Sequence, residues 1–445
     1  MRTRRQFLKR CCALGAAGAG AHVTRLGLMS ANAQSTSTYK ALVCIFMFGG
    51  NDANNMVIPA SSTGYSAYTG VRGPALSLPQ GSLLQVNAQG GTVYGLHPRL
   101  LNIRNLYNAG KAAMIFNVGT LVRPTTKAQY QGNSVPLPRN LYSHSDQQSQ
   151  WQTSNPTVAG GTGWGGRIND ILAPNAPFPP GVSVAGNASL LAGAITTGVN
   201  ISPGSNFGLD TFGSQAASDA RFAAMQQILT FDSGVQLIGS ANGVLSNAVV
   251  AAQDINQALA SGTPLATVFP NTGLGQQLLQ VAKIIQVRGA LGMDRQIFFA
   301  SMGGFDNHSN LVADQDPLLQ QLDGAVGAFQ TALAELGVDP NVVTFTESEF
   351  SRTGNASATA GSDHAWGGHH FVIGGPVHGN GAYGTFPTLQ LQGPDDVSNR
   401  GVWLPTTSLD QYAATMASWF GVQDACLTSA FPNLANFSTP KLAFL

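Results

Sequence analysis

The chain has 445 residues, is 43% hydrophobic and only 10% charged, and holds 53 glycines. Its 22 basic and 21 acidic residues give a formal net charge of +1, which leaves no basic surplus for a nucleic-acid backbone. No run of about 18 apolar residues occurs, so no transmembrane helix is predicted.

The first element is a leader. Thr3-Arg4-Arg5-x-Phe7-Leu8-Lys9 precedes a mild Gly/Ala-rich stretch from Cys11 to Ala21, too short to span a bilayer, and Ala31-Asn32-Ala33 supplies a small-x-small cleavage pattern. Residues 1–33 are therefore expected to be a twin-arginine signal peptide. The twin-arginine translocase is then a transient partner, and the destination is the periplasm or the medium. Cys11 and Cys12 follow Arg10, which does not suit lipidation, so no stable membrane anchor is expected. This route exports folded cargo, often with a metal already loaded, which makes a metal site worth seeking. Cleavage removes six basic residues and no acid, so the mature chain carries a net charge of about −5. Only Cys44 and Cys426 remain after cleavage. Cys44 lies in an apolar run and reads as core, and a single disulfide is permitted but not required.

Downstream, Ala41 to Phe48 is continuously apolar and runs into Gly49-Gly50-Asn51-Asp52, as a strand buried on both faces does in a parallel sheet. Residues 60–95 read as a surface loop. A helix over Leu100–Ala109 leads into a second apolar strand at Ala112–Val118. Residues 175–215 read as another long loop, and about 218–288 as several Ala/Gln/Leu-rich helices forming an insertion. Strand three, Arg295–Ala300, runs into Ser301-Met302-Gly303-Gly304-Phe305-Asp306. Leu318, Leu322, Val326, Phe329, Leu333 and Leu336 make one apolar helix face closed by Gly337, a crossover to strand four at Asn341–Thr346. Phe371–Ile373 is a short fifth strand. Residues 34–445 are expected to form one α/β domain, since no repeat or clean linker interrupts them.

Polar residues gather at the strand ends. Asp52 follows strand one, Asp306 and His308 follow strand three, and Glu347 and Glu349 follow strand four. Asp363-His364 and His369-His370 fall in the Gly-rich loop before strand five. Open α/β sheets bind ligands at their carboxyl edge. Carboxylates with imidazoles suit one or two divalent ions such as zinc, manganese or iron, which can activate a nucleophile toward a phosphoryl group. Against this, Asp52 also reads as an Asx turn, Glu349 as an ion-pair partner of Arg352, and His97, before Pro98, as a structural residue at a helix start. Gly161-x-Gly163-x-x-Gly166 matches a dinucleotide fingerprint in form only, because Ser154–Thr157 before it reads as loop.

Several motifs then resemble the bacterial domain-of-unknown-function family 1501. They are Gly49-Gly50-x-Asp52, Gly95-Leu96-His97-Pro98, Pro124-Thr125-Thr126-x-Ala128-Gln129-Tyr130, Ser143-His144-x-Asp146-x-Gln148 and Gly163-Trp164. Gly304-Phe305-Asp306-x-His308, Ser348-Glu349-Phe350-x-Arg352-Thr353 and Ser362-Asp363-His364-x-Trp366-Gly367-Gly368 complete the set, which spans about residues 40 to 440. The resemblance implies a three-layer α/β/α fold, alkaline phosphatase-like, with a mostly parallel central sheet and a metal centre at its carboxyl edge. It implies Asp52, Asp363 and His364 as ligands of one metal, and Asp306 and His308 as ligands of a second. The usual second-site spacing is Asp-x-x-x-His where this chain has Asp-x-His. A further histidine is implied late in the chain, with His369, His370 and His378 as candidates. The nucleophile is implied after strand two, where Thr125, Thr126, Ser143 and Ser145 are eligible. The Ser143-His144-Ser145-Asp146 segment is the most polar. No Cys/Ser-x-Pro-x-Arg segment supports sulfatase chemistry through formylglycine.

The function expected from these readings is an exported metal-dependent hydrolase of a phosphate or related ester. The alternative is a non-catalytic binding or assembly protein on a hydrolase-like scaffold.

Overall fold

A computed structural model describes residues 39–204, 207, 216–231 and 234–445. The leader expected at 1–33 lies outside the described residues.

Twelve strands are described: β1 Lys40–Met47, β2 Val57–Pro59, β3 Leu84–Asn87, β4 Val93–Leu96, β5 Ala112–Gly119, β6 Gly181–Ser183, β7 Val199–Asn200, β8 Arg295–Met302, β9 Val342–Glu347, β10 Gly368–Ile373, β11 Gly381–Tyr383 and β12 Thr407–Ser408. Nine of them form a mostly parallel central sheet in the order β11-β5-β10-β9-β1-β8-β6-β7, with β12 beside β5. Only β10 runs against its neighbours β9 and β5.

Every side chain of β1 after Lys40 is buried, because the strand is covered on both faces. Val43, Ile45 and Met47 enter one core with helices Gly273–Gln286 and Leu311–Glu335. Leu42, Cys44 and Phe46 enter the other with helices His144–Thr153, Trp164–Leu172 and Leu409–Phe420. This is the three-layer α/β/α arrangement, and it explains why the strand sequences are apolar without alternation. Each fully buried aliphatic side chain contributes roughly 1.5–3 kcal/mol.

The stretch expected as a loop at 60–95 is instead ordered. Helix Ser62–Leu76 buries Tyr68, Val71 and Leu76, and β2, β4 and β3 make a small antiparallel sheet. Glycines and a proline scattered through Ser62–Leu76 hide its helical character in the sequence. Within the expected insertion, helix Gly273–Gln286 is an integral cover of the sheet. Cys44 and Cys426 are both free. No helix among the described residues is long and apolar enough to cross a membrane.

β1 lies between β8 and β9, in register at their ends: Met47 faces Met302 and Phe46 faces Glu347. The loops after all three strands therefore emerge side by side. β10 brings its amino end to this same edge because it is antiparallel, with Gly368 opposite Val118 near the end of β5.

Candidate metal centre

Four segments supply the site. Asp306 and His308 follow β8, His364 precedes β10, Glu349 and Arg352 follow β9, and His144 is the first residue of helix His144–Thr153. The Gly49-Gly50 turn after β1 makes room for them. Gly49 has φ +115°, and a Cβ there would lie 2.5 Å from the Asp306 amide nitrogen. Gly50 has φ +83°, and its Cβ would strike the Phe350 ring at 2.3 Å. Only glycine fits either position.

Three imidazoles converge on one carboxylate. His308 Nε2 lies 3.0 Å and His364 Nε2 3.3 Å from Asp306 Oδ1, while His144 Nε2 lies 3.5 Å from Asp306 Oδ2. The Nε2 atoms of His308 and His364 are 3.0 Å apart. His144, Asp306 and His364 can each offer one ligand atom with all three atoms within 4.8 Å of one another.

The far side of each ring faces an acceptor. His364 Nδ1 donates to the Tyr142 carbonyl at 2.8 Å, His144 Nδ1 donates to Glu349 Oε1 at 2.9 Å, and His308 Nδ1 donates to Asp363 Oδ1 at 3.3 Å. A carbonyl and two carboxylates only accept, so a neutral ring bonded in this way carries its proton on Nδ1 and turns an Nε2 lone pair inward. The inward atoms are thus acceptors facing acceptors. Arg352 donates to Asp306, and a cation among the Nε2 atoms would satisfy the remaining lone pairs. Ligands 2.0–2.1 Å from a tetrahedral ion lie about 3.4 Å from one another, close to the spacings found here. The donor set therefore fits a divalent cation, and outer partners of this kind are what metal-binding histidines need.

Two arginines tune the charge. Arg352 is fully buried; it donates to the carbonyls of Gly49, Gly50 and Ser362 and to the Asp306 carboxylate. Burial pushes the Asp306 carboxyl up, but the Arg352 hydrogen bond and charge, with His144 and His308, hold it below the usual carboxylate range. Asp363 is raised by burial and lowered further by Arg400 and His308, with a net downward shift. His364 is lowered, chiefly by burial, which favours the neutral, ligating ring. Glu349 is fully buried, and its Oε1 also accepts from the Gly49 amide at 2.8 Å and Gln148 at 3.0 Å. Its Oε2 has no hydrogen-bond partner.

The structure thus brings together Asp306, His308 and His364, with Glu349, Arg352 and Asp363 behind them. His144, expected in the nucleophile segment, offers its Nε2 to the same cluster. Asp52 is elsewhere: it is buried against Arg72, caps helix Ala53–Met56 and accepts from Asn54. His369 is apart as well. It lies within β10 rather than in a loop, accepts from the Asn117 amide at 3.2 Å and stacks on Phe386. Burial pushes it down to about 3. His370, next along the strand, points to the opposite core, against Trp151 and Tyr412. His97 is buried, its Nδ1 accepts from the Arg99 amide, and burial lowers it to about 4. Ser143 caps helix His144–Thr153 and donates to Asp146 at 2.7 Å. Ser145 is exposed, its hydroxyl 3.3 Å from that of Ser143. Among the described residues, no Ser or Thr hydroxyl is hydrogen-bonded to the side chains of His144, Asp306, His308, Asp363 or His364. Sequence spacing missed His144 as a ligand because it reaches the edge from a helix start; only the Ser143–Asp146 motif flagged it.

Fold and site together define an α/β protein with a His/Asp centre at the carboxyl edge of its sheet. The chain belongs to the family described as Protein of unknown function (DUF1501), whose pattern matches residues 39–422. No curated protein matches it. Among solved structures, the phosphonate monoester hydrolase SpPMH from Silicibacter pomeroyi is similar at 8% identity and TM-score 0.37, over 86% of this chain and 74% of that one. The lipoteichoic acid synthase LtaP from Listeria monocytogenes is similar at 8% identity and TM-score 0.33, over 78% and 68%. Alkaline phosphatase from the Antarctic bacterium TAB5 is similar at 13% and 0.32, over 76% and 91%. Likeness this distant carries no argument about chemistry.

Proposed function

We propose that the protein is an exported, divalent-metal-dependent hydrolase of a phosphate or related ester. The observation that carries this reading is the convergence of three Nε2 atoms on Asp306, each ring held from behind by an acceptor. His144, Asp306, His308 and His364 would hold the ion, with zinc, manganese or iron suited to nitrogen-rich ligands. When bound, the ion supplies Lewis acidity to a substrate oxygen. Asp306 and His308 are each about half exposed, which leaves a side open to substrate. Glu349, the Tyr142 carbonyl and Asp363 keep the three rings oriented, and Arg352 keeps the Asp306 carboxylate ionised and in place. Arg400, half-buried and paired with Asp363, adds positive charge near the mouth for an anionic ester. Ser143 is committed to its cap, and no Ser or Thr hydroxyl among the described residues, Ser145, Thr125 and Thr126 included, is bonded to the cluster, so the attacking group in this reading is water. The twin-arginine leader supports export through the translocase to the periplasm or medium.

One observation favours a second reading. With no hydroxyl among the described residues bonded to the cluster, a cation-dependent binding or assembly protein fits the same geometry. Turnover of chromogenic phosphomonoesters and phosphodiesters by the metal-loaded protein separates the two. The hydrolase reading expects turnover that chelator abolishes and His364→Ala removes. Full metal occupancy with no turnover across the panel selects the binding protein.

A further inference from the structure

Tyr142 adopts φ +73°, a conformation that is unfavourable for a bulky residue and is ordinarily taken by glycine or asparagine. Strain of this kind persists where surrounding bonds impose it, and here those bonds can be named. The Ser143 amide donates to the Asn140 carbonyl at 3.1 Å, closing a four-residue turn with Tyr142 in its third place. A trans peptide points its N–H and C=O in opposite directions, so this bond turns the Tyr142 carbonyl away from Asn140 and toward His364 Nδ1, 2.8 Å off. The peptide before it is held by Gln147, whose Oε1 accepts from the Tyr142 amide at 2.7 Å. With both peptides pinned, the positive φ between them follows.

We propose that Gln147 is a positioning residue of the centre: through the Tyr142 peptide it holds His364 with Nε2 toward Asp306. Gln147 is fully buried, and its Nε2 donates to Thr120 Oγ1 at 3.4 Å, which leaves Oε1 turned to Tyr142. It is not needed to start its own helix, because the Ser143 side chain already caps helix His144–Thr153. Gln147 and His144 are three residues apart on that helix and so share a face. One helix turn therefore places two of the ligands, His144 directly and His364 at second hand. Phe350 stacks on the His364 ring with centroids 4.5 Å apart, which sets the plane of the ring but not the edge that faces Asp306. The Tyr142 carbonyl selects that edge. The Tyr142 side chain is anchored as well: its hydroxyl lies 2.8 Å from that of Tyr130, whose ring packs on Trp366, close along the chain from His364. The purpose of this arrangement rests on the metal-centre reading; its geometry does not.

Gln147→Met tests the proposal, since it keeps the length of the side chain and removes the acceptor. Proton–nitrogen NMR of the metal-free, histidine-labelled protein reads the His364 Nδ1 proton. It should be present and slow to exchange in the wild-type protein and lost to exchange in Gln147→Met. Zinc affinity, read by competition with a chromophoric chelator, should fall about tenfold, the scale for a lost outer partner. Adding Tyr142→Asn to Gln147→Met should recover most of that affinity, because asparagine takes positive φ readily and needs less to hold it there. A residue that served only the fold would move the melting temperature and leave the His364 proton as it was. A wild-type His364 without a proton on Nδ1 overturns the proposal and requires no variant. A folded Gln147→Met protein with either the His364 signal or the zinc affinity unmoved overturns it too. If the wild-type protein takes up no zinc, the metal-centre reading fails by itself, and the His364 proton alone then decides whether Gln147 sets the ring.

Discussion

Replacing Glu349 with Gln tests how the centre is held. Glu349 is fully buried and its Oε1 accepts from His144 Nδ1 at 2.9 Å, the Gly49 amide at 2.8 Å and Gln148 at 3.0 Å. The amide keeps a carbonyl acceptor of the same shape but loses the charge that makes His144 a stronger donor to a cation. Loss of such an outer carboxylate weakens metal affinity by about 10–100-fold, or ~1.4–2.7 kcal/mol. Folding should suffer less, by ~1–2 kcal/mol, the difference between a charged and a neutral hydrogen bond. Competition against a chromophoric chelator reads the affinity, and thermal melts of the metal-free proteins read the fold. A folded Glu349→Gln protein with wild-type affinity would refute the view that Glu349 orients His144.

Asp52→Ala should cost about 3–5 kcal/mol of stability, by leaving Arg72 buried and unpaired, while metal stoichiometry stays unchanged; denaturant melts and elemental analysis check both. Gly49→Ala forces a Cβ to within 2.5 Å of the Asp306 amide at φ +115°, so cation affinity should fall at least tenfold, measured by the same chelator competition. Glu347 is raised by burial to about 8 in the folded chain, so the fold binds its proton more tightly than the unfolded chain does. Its stabilising contribution is full below the ordinary glutamate range and is lost as pH rises toward about 8. Glu347→Gln should flatten that decline in urea melts taken across this window, and an unchanged slope would contradict it.

The sheet was legible where burial on both faces left unbroken apolar runs, as in β1, β5, β8 and β9. It was not legible in β10, where Gly368-His369-His370 reads as a loop, yet both rings are buried in opposite cores. The carboxyl edge was found through Asp306, His308 and Asp363-His364. The last pair reaches that edge only because β10 reverses direction, which no local signal in Gly361–Gly368 records. Asp52 carries the same motif context as the site, but the partner that claims it, Arg72, sits 20 residues on in a helix the sequence disguises. His144 depends on a long-range approach of a helix start to the β8 and β9 loops, and tautomer control by the Tyr142 carbonyl is a backbone effect without a residue code.

The most direct test of the central claim is elemental analysis of the protein purified without a His-tag or chelator, alongside His364→Ala. One transition-metal ion per chain in the wild-type protein, and its loss in the variant, is the predicted result. A wild-type protein that is folded, metal-free and takes up none on addition would contradict the account.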